Sequence, residues 1–189
     1  DKSQKLFELE TLYSPPFITY LDILNKQSNN MVATAILTTL AKLKKGVPSS
    51  HLDGLDIVKS FLSDTLSLKQ NTYNLVDGSG LSLENQIPAT HIIKAINYAH
   101  NTFNQTYSNL LINIKGHQDY EDISIPEHID IVVKSGTLSN AGVNNLAGII
   151  YDHKKSAQYH FVIMTKAPSS LRPTYKGSLT KPLLAALIN

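Results

Sequence analysis

Residues 129–137 read I-D-I-V-V-K-S-G-T, and this stretch constrains the fold more than any other. An unbroken β-branched run is what a strand covered on its faces needs, because branched side chains fit a pleated surface. The run stops abruptly in Lys134, Ser135, Gly136 and Thr137. A cation and a hydroxyl then stand beside backbone donors, and Gly136 has no Cβ to keep a second backbone away. Such a strand end suits a carboxylate- or amide-bearing ligand lying along it. Lys-Ser-Gly is a common tripeptide, so its weight depends on the rest of the chain.

Two further strand patterns follow, at 144–151 and 159–166, with 152–157 as a hairpin loop. Short connections of this kind pair strands antiparallel. The chain before residue 129 reads differently. Residues 6–12 alternate and suggest a short strand, after which Ser14 as N-cap and Pro15-Pro16 open a helix with Phe17, Tyr20, Leu21 and Leu24 on one face. That helix runs out at 25–27, and Ser28-Asn29-Asn30 sits in the break before a second helix. The second carries Met31, Val32, Ala35, Ile36, Leu40 and Leu43 at helical spacing and ends before Gly46. A third, capped by Ser49 or Ser50, carries Leu52, Leu55, Val58, Phe61 and Leu62. Pro88 opens a fourth with Ile92, Ile93 and Ile96, and 103–114 reads as a short fifth. Residues 116–128 are polar and irregular, and 179–188 form an apolar closing helix. Tyr13, Tyr20, Tyr73 and Tyr98 fall in apolar patterns and read as core. Helices first, then an antiparallel sheet and a last helix, make an α+β chain with one core.

Composition narrows function by exclusion. The net charge is +2, and the one dense basic cluster, Lys42, Lys44 and Lys45, falls at a helix end where cations suit the dipole. Nucleic acid is therefore not an expected partner. No apolar run approaches the roughly 20 residues of a transmembrane helix. The chain has no Cys. Its seven His show no ligand pair at helical spacing, and His117 with Asp119 lacks partners, so neither a metal nor another cofactor is expected. Asp119, Glu121 and Asp122 read as a solvated loop.

Ser28-x-Asn30 between two helices and Lys134-Ser135-Gly136 on a strand together match two of the three signatures of penicillin-recognising serine enzymes. The surrounding words extend the match: Y-S-P-P-F-I-T-Y-L-D-I-L-N-K-Q-S-N-N-M-V-A-T-A-I-L, then V-D-G-S-G-L-S from Val76, then K-S-G-T-L-S-N-A-G-V-N-N-L-A-G-I-I from Lys134. From about residue 6 to 166 the chain resembles the class C low-molecular-mass penicillin-binding proteins, which are D-alanyl-D-alanine carboxypeptidases and endopeptidases. The resemblance implies their transpeptidase-like fold, a periplasmic or extracytoplasmic location, and peptidoglycan stem peptides ending in D-Ala-D-Ala, or β-lactams, as ligands. It implies serine acyl transfer in which Ser28 relays a proton to the leaving amine and Asn30 holds the substrate carbonyl. Lys134 would polarise Ser28, Ser135 bind the terminal carboxylate, and Thr137, past Gly136, lend its N–H to an oxyanion hole. The D-G-S-G segment reads as a glycine-requiring turn, with a loop at the substrate entrance as the other reading.

The chain departs from the family in three places. Ser135 stands where Thr is commoner, and Asn29 where Asp is frequent. The third departure is larger: the S-x-x-K that supplies the nucleophile should lie far upstream of Ser28. The one S-x-x-K present, Ser178 to Lys181, is better read as the N-cap of the last helix. Residues 1–189 are thus expected to be the C-terminal portion of such a domain, partnered by the missing N-terminal part of the same protein. The alternative is a non-catalytic module binding peptidoglycan or protein through the same groove.

Overall fold

The computed structural model describes residues 10–167 and 180–188. Its helices are α1 (Phe17–Gln27), α2 (Asn30–Lys45), α3 (His51–Asp64), α4 (Ala89–Phe103), α5 (Gln105–Asn109) and α6 (Thr180–Ile188). The strands are β1 (Ile112–Asn113), β2 (Ile129–Leu138), β3 (Val143–Asp152) and β4 (Ala157–Lys166). They form one antiparallel sheet in the order β1-β2-β3-β4. The α+β expectation is met.

The continuous β-branched run of β2 is explained by burial on both faces. Ile129, Ile131 and Val133 point to one side, into a core with Leu146, Ile150, Phe161, Ile163 and Leu184 of α6. Val132 points to the other, packing with Ile149 of β3, Ile96 of α4 and Leu111. Each fully buried side chain of this size contributes about 1.5–3 kcal/mol. The sheet is therefore the middle layer, with α6 on one face and α4 on the other.

The remaining helices stack outward from α4. Tyr98 and Ala95 of α4 pack with Val58 and Leu62 of α3, and the Phe61 and Tyr98 rings meet edge to face at 5.3 Å. α3 in turn crosses α2 closely: a Cβ on Gly54 would lie 2.3 Å from the Leu37 carbonyl oxygen, so only glycine fits this crossing. The N-terminus of α3 is fixed by a capping box in which Ser50 and Asp53 satisfy each other's backbone N–H.

Several local expectations are corrected. Ser14 does not cap α1; the N-cap is Pro16, with no side-chain cap bond. Residues 10–12 are not strand, and 6–9 lie outside the described residues. Tyr13 is 89 % exposed rather than core. The segment 103–114 divides into the end of α4, one turn of α5, and β1, which pairs Ile112 with Val133 and Asn113 with Val132. β2 runs five residues beyond the apolar run, to Leu138, because β3 continues to pair with it as far as Val143.

Candidate functional site

Ser28 is where α1 stops. It adopts a left-handed conformation, φ 51 and ψ 45, which a non-glycine residue occupies at a cost of order 1–2 kcal/mol. That reversal ends one helix and lets Asn29 cap the next, its side-chain oxygen accepting the Val32 N–H at 3.1 Å. Asn is as good an N-cap as Asp, so the uncharged middle residue costs the junction nothing structurally. Asn30 opens α2 with its side chain exposed. Ser28 and Asn30 thus stand two positions apart at the joint between α1 and α2.

Across from this joint stands the end of β2. Lys134, on the same face as Val132, reaches from the sheet and donates from Nζ to Ser28 Oγ at 2.5 Å. It also donates to the carbonyl oxygen of Ser135 at 2.5 Å. The bond to Ser28 joins residues 106 positions apart. Half-burial holds the Lys134 ammonium below the usual lysine range, because desolvation disfavours its charged form. Among the described residues no carboxylate forms an ion pair with it. A charge without an acidic partner, already bonded to a hydroxyl, can polarise that hydroxyl and attract an anion.

The edge of β2 supplies the rest. The Ile114 N–H donates to the Ile131 carbonyl at 3.1 Å, so odd-numbered residues of β2 turn their backbone polar groups toward β1. Pairing with β1 ends at Val133. The backbone groups of Ser135 and Thr137 therefore face a side along which no described strand continues. A Cβ on Gly136 would meet nothing within 4 Å, so the sheet face that carries Lys134 is open at this position. An extended peptide could lie along that edge as an added strand. A cleft of about 590 Å³ lies farther back, at the Asp130–Val132 part of β2, lined by Lys26, Ser108, Leu111, Ile112, Val132 and Tyr151 among others; none of the six motif residues lines it.

The six residues singled out from sequence thus fall at two facing places. Ser28 and Asn30 mark the joint; Lys134, Ser135, Gly136 and Thr137 mark the strand edge. The Asp77 loop is a turn closed on itself: Asp77 accepts the Gly80 N–H at 2.6 Å and the Ser82 N–H at 2.7 Å, and Gly78 presses on Leu37 of α2. Ser178 lies outside the described residues, but Lys181 of the same tetrapeptide is bonded to Asp122 at 2.9 Å. It belongs to α6, on the sheet face opposite Lys134. What sequence reasoning missed is the carbonyl of Ser135 as an acceptor for Lys134, a backbone role that no residue type advertises.

The sequence profile of the D-Ala-D-Ala carboxypeptidase 3 (S13) family matches residues 1–177. The chain belongs to that family. Among solved structures, it is similar to penicillin binding protein 4 (dacB) from Haemophilus influenzae, in a complex with a novel β-lactam. The identity is 22 %, the TM-score 0.68, and the match covers 90 % of this chain and 41 % of that one. A second structure of the same Haemophilus influenzae protein also matches at 22 % identity and TM-score 0.68, covering 88 % of this chain and 37 % of its own. No curated protein sequence matches the chain. The chain has the fold of these penicillin-binding proteins and spans about two fifths of their length. Among the described residues no helix is long and apolar enough to cross a membrane.

Proposed function

We propose that residues 1–189 form one wall of a serine-type D-Ala-D-Ala carboxypeptidase or endopeptidase site, with the nucleophilic serine and its lysine carried by an N-terminal part of the same protein. The observation that carries this reading is the bond from Lys134 Nζ to Ser28 Oγ at 2.5 Å, which joins the helical joint to the strand edge. In this reading a stem peptide ending in D-Ala-D-Ala lies along the open edge of β2. Lys134 and the Ser135 hydroxyl bind its terminal carboxylate, and Asn30 holds a backbone carbonyl of the peptide. The nucleophile attacks the carbonyl between the two D-alanines, and the Thr137 N–H stabilises the resulting oxyanion. Ser28, polarised by Lys134, passes a proton to the departing amine as the C–N bond breaks. Water then resolves the acyl-enzyme. β-Lactams would enter by the same route and stay as the acyl-enzyme. Such chemistry belongs outside the cytoplasm, at the cell wall.

Full-length protein incubated with a fluorescent penicillin should carry a covalent label. Lys134→Met, which keeps the stem and removes the charge, should slow acylation by roughly 10²-fold or more, the usual loss for one preorganised electrostatic group. Absence of any adduct on the full-length wild type would overturn the catalytic reading. It would leave the non-catalytic binding module, whose affinity for stem peptides should still fall in Lys134→Met.

A further inference from the structure

The face of α4 turned to the sheet carries polar groups where packing alone would favour apolar ones. His100 is buried, and its Nε2 lies 3.2 Å from the Tyr151 hydroxyl of β3. That hydroxyl is 2.6 Å from Ser108 Oγ, itself buried in α5. The other ring nitrogen of His100 faces Gln158 of β4 at 3.4 Å. One turn back on α4, the Asn97 side-chain oxygen meets Nδ1 of His160, also on β4. The two imidazoles stand edge to face with centroids 5.2 Å apart. Nε2 of His160 is buried and has no hydrogen-bond partner.

We propose that His160, packed against His100, forms a proton-sensitive latch between α4 and the sheet, closed when its ring is neutral and released when it is protonated. With Nδ1–H donating to Asn97, Nε2 of neutral His160 is a bare acceptor. A proton added there would need an acceptor, and Nε2 has none within hydrogen-bond distance among the described residues; the resulting cation would sit against the His100 ring. Tyr151 of β3 lies against the pair, and Asp152, Lys155 and Tyr159 share with His160 the lining of a cavity of about 260 Å³. The Asp152 carboxylate is already paired with Lys155 at 3.2 Å. Burial pushes the Tyr107 hydroxyl of α5 up, away from ionisation near neutral pH. No ion pair among the described residues includes either ring.

Linkage gives the direction. Burial first, and then the charge of His100, hold His160 below its ordinary value of 6.5. A histidine depressed in the closed state stabilises that state above pH 6.5, and the stabilisation is lost as the pH falls through 6.5 toward the depressed value. Acid therefore favours the open state. The consequence for the site follows from the layering. α4 is the strut on which α3 and then α2 are stacked, and α2 begins beside Ser28. Lys134 is fixed to the sheet. Loosening α4 from β4 moves the Ser28 joint relative to Lys134.

The chain lacks Cys, so two spin labels can be placed without ambiguity. With Lys44→Cys on α2 and Lys154→Cys in the β3–β4 turn, the interlabel distance should form one population at about pH 7.5 and gain a longer one as the pH approaches about 5, the range over which histidine titrates. His160→Gln, neutral throughout, should remove that second population. A distance distribution unchanged over this range in the wild-type background would overturn the latch. So would an acid-induced population that survives in the His100→Gln, His160→Gln double variant. Should a variant fail to fold, the wild-type titration alone still decides.

Discussion

Gly148 sits in β3 opposite Val133, the residue before Lys134, and replacing it with alanine tests whether strand contact sets the site. The added Cβ would lie 2.1 Å from the Val132 carbonyl oxygen and 3.0 Å from Val133 Cα. Both are backbone atoms in a paired strand, so no side chain can swing aside. The strands must part by about 1 Å to restore van der Waals contact, in a core packed to crystal-like density. Overpacking of this kind costs about 1–3 kcal/mol. For a domain of this size each 1 kcal/mol lowers Tm by about 2–4 °C, so Gly148→Ala should melt about 2–12 °C below wild type. Ala147→Gly is the control at the neighbouring position, opposite Lys134, since it removes a Cβ without creating a clash. Thermal unfolding followed by circular dichroism gives the comparison. If Gly148→Ala melts within a degree of wild type, the close approach of β2 and β3 is not what holds this strand end in place.

Two further outcomes follow from the same reasoning. Ser50→Ala removes the hydroxyl that accepts the Asp53 N–H at 3.3 Å and leaves Asp53 holding the residue-50 N–H and the Lys45 ammonium, so urea unfolding should show a loss of about 1 kcal/mol. Because burial lowers the Lys134 ammonium, its cationic fraction should decline at a lower pH than that of an exposed lysine. Penicillin acylation of the full-length protein should therefore fall early on the alkaline side. In Lys134→Arg, charged throughout, the rate should be lower overall but lack that fall; an identical alkaline limb in both would refute Lys134 as the group that titrates.

Much of this was legible because the residues concerned act locally. Asn29, Gly46, Ser50 and Pro88 punctuate the helices through capping and backbone restriction, and each marks a real boundary. The β2 run was legible because Ile131, Val132 and Val133 are all buried, on alternating faces of a covered sheet. What failed did so for equally physical reasons. Ser14-Pro15-Pro16 offers a competent cap one step too early, and the chain uses the fixed geometry of Pro16 instead. Tyr13 sits in an apolar pattern and yet projects from the described structure. His100 falls four residues after Ile96, on the apolar face of α4, a signal that could have been read. Its partners Tyr151, Gln158 and His160 lie 51 or more positions away, and no local rule brings them together.

The motif residues themselves were visible, but the property that makes them a candidate site was not. Lys134, Ser135, Gly136 and Thr137 could equally have ended a strand inside a sheet, where their backbone groups would be used up. They are available because β1 is only two residues long and stops opposite Val133. Two residues, Ile112 and Asn113, carry no period that a sequence could display. The same short strand both completes the pairing of the buried part of β2 and leaves its last odd-numbered residues open. The left-handed turn at Ser28 then sets a hydroxyl facing that opening. The candidate site is thus defined by where two elements end, and ends are fixed by tertiary contacts more than by propensity.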